Sequence, residues 1–327
     1  MKHHILVLKL IALNLLLSLT LLANETDPLL SDLKRLNINS LTNSAHDPKY
    51  YQTLKSFTDK YGAEKTLKTV SLLNQELTFK QRWLSIKRAY RFKKTSKNIS
   101  SDKSKKIKVI YINGTNTTET YAILTLERIK ELIGSQVEAD FPLVEYENFY
   151  NFSFSELLIS QLGLFIDLQE VIYQSVLLNT HLPYQGLMSA YNRDLKEMDQ
   201  RLKMYLADGW KVFVVTHSQG GLFANQVAEL QKEISPCQAA NLQVASPSTF
   251  LAFKNGDHLT NQDDIVLKIP MSLAGNAIGA SQIVPPDNTD SLYHGIMTIY
   301  FSSQMPVYQQ LFKQKSQLLL DKLQNCH

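Results

Sequence analysis

The chain has 327 residues, of which 44% are hydrophobic and 20% charged, and its formal net charge is +4. These values are typical of a folded globular protein and exclude a disordered or fibrous chain. Repeat architectures are also excluded, because the sequence shows no internal period of about 20 to 50 residues.

The first 23 residues have the composition of a secretory signal peptide. Lys2 and Lys9 give a basic start, and an almost wholly apolar run extends from Ile11 to Ala23. We expect cleavage after Ala23 and an exported protein, periplasmic or secreted. Leu21 is larger than the residue that a cleavage site prefers three positions before the cut. An uncleaved segment that anchors the protein in a membrane is therefore the alternative.

Residues 24–93 form a predicted helical region, because apolar residues recur there three and four positions apart. Residues 94–106 are polar and basic without a hydrophobic face, which indicates a linker. Between Lys80 and Lys108 there are twelve Lys or Arg residues and one acid. This basic block favours a solvated helix face that runs into the linker, with peripheral contact to anionic lipid as the alternative. We expect no nucleic-acid partner, since no binding motif is present.

In residues 107–327, short apolar segments alternate with amphipathic ones. This alternation predicts an α/β fold with a mainly parallel sheet and helices on both faces. Residues 155–208 are a predicted helical insertion, and its apolar first part, Ser155 to Thr180, is either a lid or a pair of core helices. A helix that contains TYAILTLERIKELI is predicted to end at Gly134, and two more are predicted at LFANQVAELQKEI and in the tail, 304–324. The predicted strands are IKVIYIN, PLVEYENFYN, WKVFVVT, NLQVAS and DIVLKI.

The stretch VVTHSQGGLF, Val214 to Phe223, has the order strand, tight turn, helix. This order can present a serine at a sharp turn, so Ser218 is the candidate nucleophile. The turn needs small residues two positions before and two after the serine, because strand and helix come close together. Gly220 meets this need and Thr216 does not, which makes the motif alone a weak signal.

A serine nucleophile needs a base and an acid that orients the base. Of the eight histidines, His294 lies after the serine and before an apolar run, as the chain order Ser, Asp/Glu, His requires. His217 adjoins Ser218, so we expect its side chain to leave the turn in another direction. Asp264 directly precedes an apolar stretch and is the best candidate acid, but from the residues alone Asp263 stays open. The other aspartates between serine and histidine are Asp257, Asp287 and Asp290.

Two backbone N–H groups are the expected donors to the oxyanion. One belongs to Gln219, the residue after the nucleophile, and the other comes from the loop after an earlier strand. That loop is NGTN, in which Gly114 allows a ligand to approach the backbone closely and Thr115 adds a hydroxyl. The same loop is also a simple strand-to-helix turn, and both interpretations can hold.

Five motifs occur in order between residues 107 and 301: VIYINGTNTTETYA, THSQGGLFAN, LQVASPS, TNQDDIV and HGIMTIY. Together they resemble a bacterial group of α/β-hydrolase-like proteins of lipase or esterase type. The D-I-V run also resembles the acid site of the fungal-type triglyceride lipases. The resemblance implies an α/β-hydrolase-like fold with Ser218 as nucleophile, Asp264 as acid and His294 as base. It favours Asp264 over Asp263, because the matching acid immediately precedes the apolar pair, and Gly221 stands where the group usually has Asn.

These features predict an exported serine hydrolase that cleaves carboxylic esters, with lipids or phospholipids as the expected substrates. Such a triad needs neither a metal nor an organic cofactor. The alternative is a non-catalytic binding or host-interaction protein on a hydrolase scaffold, since fold does not fix function. The two cysteines, Cys237 and Cys326, are either paired or free.

Overall fold

A computed structural model gives the fold of the chain. It describes residues 28–29, 32, 56–62, 65–66, 106–115, 117, 119–151, 171, 189–231, 234–248, 250–261, 264 and 294–325. The chain divides into two compact units, Met1–Phe92 and Lys93–His327. The predicted signal peptide, all of the predicted linker except Lys106, and most of the apolar segment 155–180 lie outside the described residues.

In the first unit the described residues are mostly helical, among them 56–61. Here Asp32 accepts hydrogen bonds from Lys60 Nζ and Tyr61 Oη, at 3.1 and 2.5 Å. The side chain of Phe57 is buried.

The second unit contains a five-stranded sheet in which every pair of neighbouring strands is parallel. The spatial order is β2-β1-β3-β4-β5. Every residue of β1 and β4 is buried, as are all but the first of β3, whereas most of β2 is half-buried. The predicted parallel sheet is therefore confirmed. The strands are β1 (Lys106–Ile112), β2 (Leu143–Phe149), β3 (Lys211–His217), β4 (Ala239–Val244) and β5 (Gly256–Leu259).

Helices cover both faces of this sheet. Side chains of α2 and α3 pack in one core cluster with Ile110, Ile112 and Val214. The alternate residues of β1 face the other side, where Tyr111 lies against α1, and α1 also contacts α4. The helices are α1 (Glu119–Asp140), α2 (Ser189–Ala207), α3 (Gln219–Leu230) and α4 (Pro306–Gln324), with a short π-helix at Ile296–Tyr300.

The prediction that α1 ends at Gly134 is wrong, because the helix continues to Asp140. The apolar side chains of Ile129, Ile133 and Val137, four positions apart, are all buried. Their burial outweighs the cost of about 1 kcal/mol for a glycine in a helix interior. Helix α3 begins at Gln219, directly after the serine, and ends at Leu230, which is earlier than its apolar pattern indicated.

Strand β5 was not predicted. It has four residues, GDHL, and it begins with Gly and Asp, which are depleted in strands. The strand predicted at DIVLKI begins at Asp264, and its remaining residues, 265–269, lie outside the described residues. The polar sequence TNQDD therefore follows β5 directly.

Two lysines of the basic block are strand residues and not part of a linker. Lys106 and Lys108 belong to β1, and both are buried. Their ammonium groups lie 5.0 and 4.4 Å from the ring centroid of Trp210. These two lysines are thus unavailable for a membrane surface, while residues 80–105 of the block lie outside the described residues.

Cys237 is disulfide-bonded. The chain has one other cysteine, Cys326, which lies outside the described residues. None of the described helices is both long enough and apolar enough to cross a bilayer.

Candidate active site

The turn between β3 and α3 holds Ser218 in a rare backbone conformation, with φ 52° and ψ −124°. A non-glycine residue in such a region costs on the order of 1–3 kcal/mol and persists only where its surroundings impose it. Here the N–H of Ser218 donates to the carbonyl of Val244 at 3.0 Å, and its carbonyl accepts from Gly221 at 3.0 Å. The strained turn presents the hydroxyl at the carboxyl edge of the sheet.

Glycines allow the elements around this turn to approach one another. A Cβ on Gly220 would lie 2.3 Å from the carbonyl oxygen of Ile112, so a side chain there would collide with β1. A Cβ on Gly114 would lie 2.6 Å from Cβ of Ser218, and one on Gly221 would lie 2.2 Å from Oγ of Ser246. The loop after β1 and the loop after β4 therefore both close onto the serine turn.

Thr216 fits at the position where a small residue was expected. Its side chain is fully buried. Its hydroxyl has no hydrogen-bond partner among the described residues. The cost of this threonine is a buried hydroxyl rather than a broken turn.

Ser218, His294 and Asp264 form a continuous chain of hydrogen bonds. The distance from Ser218 Oγ to His294 Nε2 is 2.8 Å, and that from His294 Nδ1 to Asp264 Oδ2 is 2.7 Å. Ser218 is 3% exposed and Asp264 1%. With Nδ1–H donating to the carboxylate, Nε2 is left as an acceptor for the serine proton. This is the arrangement of a nucleophile, a base and an orienting acid.

The π-helix Ile296–Tyr300 ties the histidine segment to the aspartate segment. The hydroxyl of Tyr300 accepts a hydrogen bond from the N–H of Asn261 at 2.9 Å. The carbonyl of Asn261 in turn accepts from the N–H of Asp264 at 3.2 Å. The carbonyl of Phe301 accepts from the Arg128 guanidinium of α1. The acid and the base are therefore held by one connected set of contacts, none of which the sequence pattern indicated.

The loop that carries Gly114 and Thr115 is held beside Gln219 by two asparagines. The Nδ2 group of Asn113 donates to the carbonyls of Asn151 and Gly114, at 2.8 and 2.9 Å. Its Oδ1 accepts the N–H of Asn151 at 2.8 Å, and Nδ2 of Asn151 donates to Oε1 of Gln219 at 3.0 Å. Asn151 was not predicted as a site residue. Its position just after the parallel strand β2 was the available signal.

His217 also belongs to the site. Its Nε2 lies 3.0 Å from the main-chain oxygen of His294, and the two ring centroids are 5.0 Å apart. Burial first, and then the neighbouring His294, lower the pKa of His217 to about 3. The ring reaches the backbone of the candidate base.

The described residues contain no group of three or more His, Cys, Asp or Glu side chains that could hold a metal ion. The site they form is a hydrogen-bonded chain with one buried carboxylate. A chain of this kind can pass a proton from a serine hydroxyl to an imidazole.

Comparisons with known proteins give this chain no relatives. No family model, no curated protein and no solved structure matches it significantly.

Proposed function

We propose that this protein is an exported serine hydrolase of α/β-hydrolase type that cleaves carboxylic esters of lipids or phospholipids. The observation that carries the proposal is the Ser218–His294–Asp264 chain, with its 2.8 and 2.7 Å hydrogen bonds. The assignment of Asp264 rather than Asp263 as the acid rests on the same contact.

The topology of the sheet supports this proposal. From β1 the chain crosses to β2 on one side and then returns to β3, β4 and β5 on the other. The switch point therefore lies between β1 and β3, and ligands of open α/β sheets bind beyond the carboxyl ends of the strands at such a point. The loop of Gly114 and the turn of Ser218 meet there, as in the strand–turn–helix elbow of α/β-hydrolases.

The mechanism uses the residues of this chain alone. Ser218 Oγ attacks the ester carbonyl carbon while His294 Nε2 takes its proton, and Asp264 stabilises the imidazolium through Nδ1–H. The backbone amides of Gln219 and Thr115 bind the oxyanion. His294 then protonates the leaving alkoxide, and an acyl group remains on Ser218. A water molecule, activated by His294, releases the acid and restores the serine.

An apolar substrate is supported by the surroundings of the serine helix. Leu222, one turn along α3 from Ser218, packs with Phe250 and with Val171. Val171 comes from the apolar segment 155–180, so part of that segment lies against the element that carries the nucleophile. Apolar packing beside the serine turn supports an acyl chain as the substrate group.

Export is supported by two independent features. The N-terminal 23 residues have the composition of a signal peptide. Cys237 is disulfide-bonded, and disulfides persist mainly in oxidising compartments.

Labelling with a fluorophosphonate, which modifies activated serines, tests the proposal. The mature wild-type protein should be labelled, and Ser218→Ala should abolish labelling while the melting temperature stays close to that of the wild type. Ser316→Ala is a matched control, because Ser316 is fully buried on α4 and its hydroxyl has no hydrogen-bond partner among the described residues. No labelling of folded wild-type protein, with and without lipid micelles, would contradict the proposal and favour a binding protein on this scaffold.

A further inference from the structure

We propose that His217 is a positioning residue, whose imidazole holds the main-chain carbonyl of His294 and thereby sets the base against Ser218. The inference rests on the proposed function, because it assigns a second histidine to the same site. It adds a residue that neither the triad nor the oxyanion amides include.

The hydrogen bond fixes the tautomer of His217. A carbonyl oxygen can only accept, so Nε2 of His217, which lies 3.0 Å from the oxygen of His294, carries the proton. Nδ1 is then unprotonated, and it has no hydrogen-bond partner among the described residues. It faces Gly114, where a Cβ would lie 3.1 Å from it. The ring is thus enclosed between the loop after β1 and the histidine segment.

The position of His217 in the chain gives this contact its effect. His217 is the last residue of β3 and is bonded covalently to Ser218. Its ring therefore links the strand that carries the nucleophile to the backbone of the base. His294 is held at two points: its ring contacts Ser218 and Asp264, and its carbonyl contacts His217. Two points of attachment limit rotation of the segment, whereas the ring contacts alone leave the backbone able to shift.

Neutrality suits His217 to this role. During turnover His294 becomes an imidazolium, and the centroid of the His217 ring is 5.0 Å from it. A second cation at that distance in a buried site would oppose this step. Burial first, and then the neighbouring His294, lower the pKa of His217 to about 3, so its ring stays an uncharged donor at neutral pH.

The test compares His217→Gln with His217→Met. The two replacement side chains have similar length and no charge, but only the amide of Gln offers an N–H near the position of Nε2. We expect Met to lower the labelling rate and kcat for a soluble p-nitrophenyl ester by about tenfold to a hundredfold, the scale of a small misplacement of a catalytic group. Gln should stay within about threefold of the wild type, and KM should barely change in either variant, because substrate contacts are untouched.

His258→Met is the matched control, since His258 is a partly buried histidine on β5 whose pKa is also lowered by burial. It should leave labelling unchanged. Equal rates for Met and Gln at position 217 would overturn the inference, whether both are fast or both are slow. An effect of His217→Met on KM alone, with kcat unchanged, would also overturn the inference.

A second readout separates this inference from the proposed function. The downfield proton resonance of His294 Nδ1–H, hydrogen-bonded to Asp264, should persist in wild type and Gln and broaden or disappear in Met. If wild-type protein is not labelled at all, the proposed function fails, while the resonance still decides whether His217 positions His294. An unchanged resonance in Met would overturn the inference on its own.

Discussion

The edge strand β2 and the carboxyl end of the parallel sheet both carry polar side chains, but the groups are arranged differently. On and beside β2 the charges are paired. Glu147 accepts from Arg201 at 2.7 Å and from the Tyr205 hydroxyl at 2.5 Å. Lys108 pairs with Glu145 and also lies over Trp210. Most of these side chains keep some contact with solvent, and each charge has a partner of opposite sign beside it.

At the carboxyl end there is one buried carboxylate, Asp264, in a site of mostly neutral groups. The backbone of Ser218 is strained, glycines 114 and 220 permit close contacts, and amide side chains link three loops. Strain and close approach cost stability, whereas the ion pairs beside β2 add to stability. This difference is a physical reason to place the chemistry at the carboxyl end. The predictions below test it, from the largest expected effect to the smallest.

The acid assignment carries the largest expected effect. Asp264→Asn should lower kcat by about 10⁴-fold, because an amide favours the wrong tautomer of His294 while leaving the geometry intact. Asp263→Asn is the matched control and should change kcat little. Hydrolysis of a p-nitrophenyl ester measures both. The reverse order of effects would move the acid to Asp263 and break the assignment made from the 2.7 Å contact.

Two glycines distinguish the close-packed end from an ordinary helix. Gly220→Ala should lower the free energy of unfolding by about 3 kcal/mol and abolish labelling, because its Cβ meets a backbone oxygen at 2.3 Å. Gly134→Ala, inside α1, should raise the free energy of unfolding by about 0.5–1 kcal/mol. The added Cβ would have the Tyr146 hydroxyl as its nearest contact, at 3.4 Å. Urea denaturation measures both. A tolerated Gly220→Ala would mean that the turn does not need its close approach to β1.

Patterns within single segments predicted most of the sheet, since apolar runs indicated four of the five strands. The resemblance, not any local pattern, indicated the grouping of Ser218 with His294 and Asp264. The predicted helix end at Gly134 was wrong because the low helix propensity of glycine counts for less than the burial of Ile129, Ile133 and Val137. Strand β5 was missed because its residues are poor strand formers, held in place by pairing with β4.

Apart from the candidate triad, contacts between distant segments could not be predicted. The bonds of Asn113 to Asn151, of Tyr300 to Asn261 and of His217 to the carbonyl of His294 join segments that are far apart in sequence. They depend on where loops meet after the sheet has formed. No sequence pattern identifies which main-chain carbonyl will pair with a given imidazole.

Acid should weaken the carboxyl end through His217. Its pKa falls from 6.5 to about 3 on folding, so between these values the unfolded chain binds the extra proton and stability falls as pH falls. From pH 6 to pH 4.5 this loss is about 2 kcal/mol. It should be absent from His217→Gln, whose unfolding free energy should therefore decline less steeply. Urea titrations of both proteins at the two pH values measure the difference. If the unfolding free energies of both proteins declined equally between the two pH values, His217 would be protonated in the folded protein.

The smallest effect is expected at the ion pair beside β2. Glu147→Gln removes the charge that pairs with Arg201 but keeps the size of the side chain, and Arg201 retains Glu197 at 2.6 Å. The unfolding free energy should fall by about 1 kcal/mol, as for a partly exposed ion pair. The labelling rate should not change, because the hydrogen bonds that hold Ser218 involve Val244, Gly221 and His294. Burial and then the Glu147 carboxylate raise the pKa of Tyr205, so the pKa of this phenol should fall in the variant, as ultraviolet titration can show. If Glu147→Gln slowed labelling as strongly as His217→Met, the charge pairs beside β2 would be energetically coupled to the site. Charge pairing beside β2 would then have to be counted among the forces that hold the strained serine turn.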